Sequence, residues 1–308
     1  MTVPVKQRAD ILIAGAGGFI GRSLVPLLHS RRRRLRCLYR KKPGPKMPDG
    51  VEIVVADLLK PQTLGQAMQG IDTAYYLVHS LAAGADRFRA LDREAAENFV
   101  QAADQAGVRR VIYLSGLGEE AGTLSAHLAS RSEVATILGG GRFRTTTLRA
   151  AIILGAGGAS FELLRYLVKT QPFLLSSTQL DTLCQPIALA DVLHYLAGCL
   201  GDERTAGRTF EICGPEVLTY RQLLELFAKV AGTVNLFLPV PAIPAAVVGR
   251  WVSLFSTLDR PVVKALLEGL GNPVVCHEEQ IRKLIPHESM PLDRAIASAL
   301  GLSADKVV

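Results

Sequence analysis

The chain has 308 residues, of which 49% are apolar and 20% are charged. This balance is typical of a globular protein with a large core and excludes a disordered chain. The net charge of +7 is compatible with nucleic-acid binding, but much of it lies in residues 31–46 with no pattern of aromatic residues for base stacking. We therefore expect no nucleic-acid partner.

The cysteines and the apolar segments bear on the cellular environment. Five cysteines are scattered along the chain, and no set of Cys and His residues has the spacing of a zinc site. We expect buried free thiols, a reducing cytoplasm and no metal. The most apolar stretch, Val234–Phe255, contains three prolines and Arg250. It predicts a loop and a docked helix rather than stable membrane insertion.

The first half of the chain alternates between short apolar strands and helices. Strands that are apolar along their whole length are typical of a parallel sheet covered by helices on both faces. The predicted strands are Asp10–Ala14, Leu35–Tyr39, Val51–Val55, Asp72–Val78, Val111–Leu114 and Thr145–Leu148. The predicted helices are Gly18–Leu28, Pro61–Gln69, Phe88–Ala106 and Leu124–Leu138. The alternation predicts a doubly wound α/β fold.

The alternation loosens after about residue 155. Thr219 can cap a helix, and Gln222 three residues later completes a capping-box pattern. The predicted elements are helices at 160–169, 190–200 and 219–230 and a strand at 209–212. We expect residues 1–155 to form the sheet domain and residues 156–308 a smaller, mainly helical substrate region, with the chain re-entering the sheet around 180–215.

A glycine motif follows the first strand. Gly15, Gly18 and Gly21 have the spacing GxxGxxG and lie between a buried strand and a helix. The first glycine permits a tight turn, the second lets backbone approach a pyrophosphate, and the third lets the helix pack against the strand. The helix N-terminus attracts the phosphates. We expect a Rossmann domain that holds a dinucleotide on Gly15, Gly17, Gly18, Phe19, Ile20, Gly21 and Arg22.

This glycine spacing and several later segments resemble the short-chain dehydrogenase/reductases. The finer match is to an atypical, extended NmrA-like branch that is labelled NAD(P)H-binding or epimerase/dehydratase. The segments that carry it are Tyr75–Ser80, His127–Arg131, Leu148–Gly155, Ala159–Val168 and Pro186–Val192. The resemblance implies that Asp57 and Leu58 contact adenine, that Val78 and His79 lie beside the cofactor, and that Ser115 stands at the position of the family's catalytic serine.

The end of the second strand indicates which dinucleotide binds. NAD sites usually have an acidic residue there for the ribose hydroxyls, but this strand is followed by Arg40, Lys41 and Lys42. Arginine binds phosphate through paired hydrogen bonds. We expect NADP rather than NAD, with Arg40 and Lys41 at the 2′-phosphate and Arg22 as a further charge. The alternative is that residues 40–42 form a solvated loop.

The tyrosine–lysine pair (YxxxK) of standard family members is absent after Ser115. The matching helix carries His127 and Arg131, which four-residue spacing places on one helix face. His127 could carry a proton, since histidine titrates at about pH 6.5, and Arg131 could lower its pKa and bind ribose or a substrate carboxylate. Ser115 could polarise a carbonyl, and His79 could contact ribose or substrate. The alternative is a structural or cofactor-binding role.

Two functions are consistent with these residues. The first is an NADP(H)-dependent oxidoreductase acting on a small or apolar carbonyl, alkene or quinone. The second is a non-catalytic NADP(H)-binding redox sensor or accessory subunit, which the absent tyrosine favours. A sugar-nucleotide epimerase or dehydratase ranks lower, because those enzymes rely on that tyrosine. We expect a small-molecule substrate and a monomer or homodimer. The large residues that could line a substrate pocket, or fill the second region's core, are Phe161, Tyr166, Phe173, Trp251 and Phe255.

Overall fold

The computed structural model describes residues 9–42, 47–80, 87–118, 125–239 and 259–302. Its strands are β1 (Ile11–Ala14), β2 (Leu35–Tyr39), β3 (Glu52–Val55), β4 (Thr73–Tyr76), β5 (Arg110–Gly116), β6 (Arg144–Ala150), β7 (Ile153–Leu154), β8 (Phe173–Ser176), β9 (Leu183–Cys184), β10 (Ile187–Ala188), β11 (Thr209–Ile212), β12 (Leu218–Thr219) and β13 (Leu236–Pro239). Seven of these form one parallel sheet in the order β11-β6-β5-β4-β1-β2-β3.

Helices cover both faces of this sheet. The helices of the described residues are α1 (Phe19–Ser30), α2 (Leu64–Met68), α3 (Phe88–Ala106), α4 (Ala126–Gly139), α5 (Ala159–Thr170), α6 (Leu189–Gly201), α7 (Tyr220–Ala231), α8 (Arg260–Gly269), α9 (Gln280–Leu284) and α10 (Leu292–Leu300). One core cluster joins α1 and α6 to the sheet, and a second joins α2, α3 and α4 to the other face. All of β1 is buried because both clusters contact it. The predicted doubly wound parallel sheet is confirmed.

Two predicted boundaries differ from the structure. The predicted helix Pro61–Gln69 is a 3-10 turn, Pro61–Thr63, followed by the short α2, and Gly70 with φ +75° ends that segment. The predicted strand Asp72–Val78 stops at Tyr76, because the last ladder bond runs from Leu77 N to Ala14 O (2.9 Å) and the chain then leaves the sheet. This early exit puts His79 in a loop at the edge of the sheet.

The chain beyond residue 155 builds a third core cluster from α5, α7, α10 and short strand pairs. The predicted capping box is confirmed: the Thr219 hydroxyl accepts from Gln222 N (3.2 Å), and Gln222 Oε1 accepts from Thr219 N (2.8 Å). The same part of the chain also supplies β11, which pairs with β6 at the edge of the central sheet. The sequence did not reveal the small sheets β7–β10, β8–β13 and β9–β12.

The expectation that every cysteine is a free thiol is wrong. Cys213, directly after β11, forms a disulfide with Cys276, which lies before α9. The 63 residues between them leave no local spacing signal, since the fold alone brings the two together. Cys37, Cys184 and Cys199 are buried free thiols, as expected. The cysteine content therefore no longer argues for a reducing compartment.

The apolar stretch Val234–Phe255 is described only in part. Leu236–Pro239 is strand β13, which pairs in parallel with β8, and residues 240–258, with Trp251 and Phe255, fall outside the described residues. Among the helices in the described ranges, none has the length and apolar character needed to cross a bilayer.

Candidate functional site

The glycine loop has the geometry that close backbone approach requires. Gly15 has φ +91°, a conformation that side chains strongly disfavour, and its carbonyl accepts a hydrogen bond from Gly18 N (2.9 Å). A Cβ added to Gly15 would lie 2.7 Å from Leu77 O. A Cβ at Gly21 would collide with the backbone of Gly15 and Ala16. The turn therefore holds the start of α1 directly against the end of β1.

The N-terminus of α1 is open to an anion. Gly18 is its N-cap, and no side chain accepts a hydrogen bond from the first turn. The ring of Phe19 packs against Gly155 and Gly158, where any Cβ would come within 3.0 Å of the ring. Ile20 and Gly21 are buried, so they can offer only backbone to a ligand. These residues fit a dinucleotide pyrophosphate, which needs free amides and no intervening side chains.

The end of β2 lies beside this loop. A Cβ at Gly17 would be 3.1 Å from the Tyr39 ring. Arg40, the residue after Tyr39, therefore lies near the glycine loop. Arg40 and Lys41 are exposed, and within the described part of the chain neither has an ion-pair or hydrogen-bond partner. The Arg22 guanidinium instead lies near Gly157, where an added Cβ would be 3.6 Å from Nη2.

Asp57 and Leu58, in the loop after β3, differ in which of their groups a ligand could reach. Asp57 is half-buried, and its carboxylate accepts a hydrogen bond from Leu59 N (3.1 Å). Leu58 is 4% exposed, and its side chain packs in the core with Leu64 and Phe99. Any contact of Leu58 with a ligand must therefore come from its backbone. Val78 is half-buried against the same core cluster.

One cavity of about 300 Å³ connects the glycine loop to the region beyond residue 155. Gly18, Phe19 and Ile20 line one end. A polar group from β5, α4 and the loop after β4 lines the middle: His79, Ser115, Ser125, His127 and Arg131. The four predicted polar residues are thus brought together, and a parallel sheet does this because the carboxyl ends of its strands meet at one edge.

The two histidines are held in the neutral form. Desolvation by the cavity walls, followed by the charge of Arg131, lowers the pKa of His127 to about 3. The same causes lower the pKa of His79 to about 4, although part of this residue is exposed. At pH 7 each ring can accept through one nitrogen and donate through the other. A charged imidazolium acid is not available there.

This burial predicts an acid-sensitive fold. Below about pH 6.5 both histidines become protonated in the unfolded state but stay neutral in the folded state. The free energy of unfolding therefore falls as the pH falls towards 4. Between pH 7 and pH 5, the free energy of unfolding should fall by about 1–2 kcal/mol less in His127→Gln than in the wild type. This figure follows because one pKa unit corresponds to about 1.4 kcal/mol. Urea unfolding at pH 7 and pH 5 measures this difference. An equal fall in the free energy of unfolding of the two proteins would contradict the prediction.

Asp92 of α3 is a site residue that the sequence analysis missed. It is 5% exposed, and its carboxylate accepts hydrogen bonds from Ser80 N (2.7 Å) and Ser130 Oγ (3.2 Å). It therefore ties the loop that carries His79 to the helix that carries Arg131. Burial raises its pKa above the ordinary value. The signal in the sequence was an acid on the face of α3 that otherwise buries Ala95 and Phe99.

Leucines, together with Tyr220, line the far end of the cavity. Phe161 is fully buried against Phe227, with ring centroids 5.2 Å apart, and Phe173 is 54% exposed on β8. Neither lines the cavity among its described residues. The wall consists chiefly of Leu163, Leu164, Leu167, Leu180, Leu224, Leu266, Leu267 and Leu270.

Comparisons with known proteins identify the class of domain in the first half of the chain. A family model described as NAD(P)H-binding matches residues 15–140. The divinyl chlorophyllide a 8-vinyl-reductase of Arabidopsis thaliana is 21% identical over 252 residues, which are 75% of this chain and 60% of that protein. The chain thus spans about three fifths of the length of that curated relative.

Two solved structures share the fold over almost the whole chain. Citrobacter sp. triphenylmethane reductase complexed with NADP(H) has a TM-score of 0.72 and 16% identity, covering 94% of this chain and 99% of that one. A short-chain dehydrogenase/reductase superfamily protein from Agrobacterium tumefaciens with bound NAD has a TM-score of 0.69 and 20% identity, covering 94% and 96%. The chain therefore carries an NAD(P)H-binding domain in residues 15–140 and shares its fold with these two proteins.

Proposed function

We propose that the protein is an NADP(H)-dependent oxidoreductase whose substrate is a small or apolar carbonyl, alkene or quinone. The observation that carries this proposal is a continuous cavity that runs from the glycine loop, past His79, Ser115 and His127, to a wall of leucines. Such a shape suits a cofactor and an apolar substrate side by side, with polar groups only where they meet. In this proposal, the loops that carry Asp57 and Val78 lie beside the adenosine of the bound cofactor.

The residues at the junction have distinct tasks. Ser115 is 5% exposed on β5, and its hydroxyl donates a long hydrogen bond to Arg131 O (3.5 Å), which leaves it free to turn towards a substrate oxygen. His127 stays neutral, so it donates an N–H to that oxygen and relays a solvent proton rather than acting as a charged acid. A bound nicotinamide supplies or accepts the hydride. The leucine wall excludes water from the reacting carbon.

The test is NADPH consumption over a panel of carbonyl, alkene and quinone compounds. We expect turnover with at least one apolar member, and we expect His127→Ala to lose most of it while NADPH affinity measured by calorimetry is retained. Because a positioned proton donor contributes about 100- to 10,000-fold, the loss should be large. A His127→Ala protein that turns over as fast as the wild type would remove His127 from the mechanism.

The cofactor preference has its own expected result. Arg40→Ala should weaken NADPH binding by about tenfold or more and NADH binding little, because only NADPH has the 2′-phosphate that a free guanidinium can bind. Arg33→Ala, in the exposed basic turn after α1, is the matched control and should change neither. Equal losses of NADPH and NADH affinity in Arg40→Ala would argue against the phosphate contact.

A non-catalytic NADP(H)-binding sensor or accessory subunit is the second candidate. The histidine whose pKa is lowered to about 3 favours it, because no charged acid replaces the missing tyrosine. Tight NADPH binding without turnover on the whole panel, together with a co-purifying partner, would support this candidate against the enzyme.

A further inference from the structure

Arg131 is the one charged residue among the described residues that line the cavity. Its neighbours there are leucines, alanines, glycines and uncharged polar groups. Side chains of a helix lean towards its N-terminus, so the guanidinium of Arg131 lies alongside His127, one turn earlier in α4. Its charge acts on both His127 and His79.

Among the described residues, the guanidinium of Arg131 lacks a hydrogen-bond or ion-pair partner, and its charge acts on the carboxylate of Asp92 only without direct contact. In the described ranges it makes no hydrogen bond or ion pair through its side chain, and its Nε is buried without an acceptor. The carboxylate of Asp92, on which the charge of Arg131 acts, accepts hydrogen bonds from Ser80 N and Ser130 Oγ instead. The charge of Arg131 also acts on His79, His127 and Tyr76, and all three side chains are neutral at pH 7.

An unpaired charge in an apolar cavity is unfavourable unless a ligand supplies the counter-charge. Burying a charged group without partners costs several kcal/mol, and an arginine fork matches the two oxygens of a carboxylate. The N–H groups of two neutral histidines could complete the same anion site. The leucine wall begins where this polar group ends, so a ligand that fits both must be polar at one end only.

We propose that Arg131 binds the carboxylate of an apolar acid, so that the substrate class is a monocarboxylate with a hydrophobic ring or chain lying against Leu163, Leu167 and Leu267. This inference rests on the proposed function, because it takes the leucine end of the cavity as the substrate side. It differs from a cofactor role for Arg131, in which the guanidinium would serve a ribose hydroxyl.

The experiment compares two probes of nearly equal shape, 5-phenylpentanoate and 5-phenylpentanamide. Each is titrated by calorimetry at pH 7 into the full chain, alone and saturated with NADP⁺. The wild type should bind the acid at least tenfold more tightly than the amide. Arg131→Gln should remove this preference while changing the NADPH dissociation constant less than about threefold, and Arg131→Lys should restore part of it. Arg142→Gln is the matched control and should behave as wild type, because Arg142 is exposed and its side chain has no partner within the described ranges.

Three results would overturn the proposal. They are equal binding of acid and amide to the wild type, no binding of either at millimolar concentration, and an Arg131→Gln protein that loses NADPH affinity but keeps its preference for the acid. The oxidoreductase proposal fails separately. Acid binding that depends on Arg131 in a protein that never oxidises NADPH would leave the anion site standing and refute the enzymatic function.

Discussion

Replacing Gly21 by alanine should weaken NADPH binding by at least about 100-fold. The added methyl group would collide with the Gly15 carbonyl and the Ala16 backbone, neither of which can move without opening the loop. The start of α1 would shift from β1, and the amides that hold the pyrophosphate would lose their alignment. Overpacking at a buried position should also lower the free energy of unfolding by about 1–3 kcal/mol.

Gly65→Ala is the matched control for this variant. Gly65 is also a helical glycine, but it is exposed on α2 and an added Cβ meets nothing within 4 Å. Alanine there should leave NADPH affinity unchanged and raise stability by up to about 1 kcal/mol. Calorimetry with NADPH and urea unfolding measure both variants, and circular dichroism checks that Gly21→Ala remains folded. Wild-type affinity in a folded Gly21→Ala protein would contradict the loop's assigned role.

Replacing the buried Arg110 by alanine should lower the free energy of unfolding by about 3–5 kcal/mol. Arg110 is 3% exposed at the start of β5, and its guanidinium donates to Thr146 Oγ1 (3.2 Å), to Asp202 O (3.2 Å) and to Thr205 Oγ1. Nη1 also lies 3.5 Å from Glu203 Oε1. The variant would remove the donor that the Thr146 and Thr205 hydroxyl oxygens share and would loosen the turn that leads into β11, although Asp202 O would still accept from Thr205 N (3.1 Å) and Thr205 Oγ1 (2.8 Å).

The preceding residue provides the control. The side chain of Arg109 is 72% exposed, and its ion pair with Asp72 is on the surface, although it lowers the pKa of that carboxylate. Arg109→Ala should leave the unfolding midpoint nearly unchanged, since exposed ion pairs contribute little. Urea unfolding of the two variants side by side measures the contrast. Similar midpoints for both would mean that the buried network around Arg110 does not stabilise the fold.

Local patterns were enough to predict the central sheet and the cofactor loop. Strands such as β1 and β2 are almost entirely apolar, which marks them in the sequence. The glycines of the loop are required by close contacts between residues a few positions apart, so their spacing alone identifies the loop. The same holds for the capping box of α7. The sequence also singled out His79, Ser115, His127 and Arg131, because each stands at a strand end or on a helix turn that the family resemblance marks.

The tertiary structure alone decided which of those groups are charged and what surrounds them. Arg109 and Arg110 are identical neighbours in sequence, yet one is solvated and the other buried, because the turn at Asp202–Thr205 packs over only one of them. The Cys213–Cys276 disulfide and the hydrogen bonds of Asp92 likewise join residues far apart in the chain. Desolvation and charge depend on distances through space, which is why the neutral histidines and the unpaired Arg131 became visible only in the folded protein.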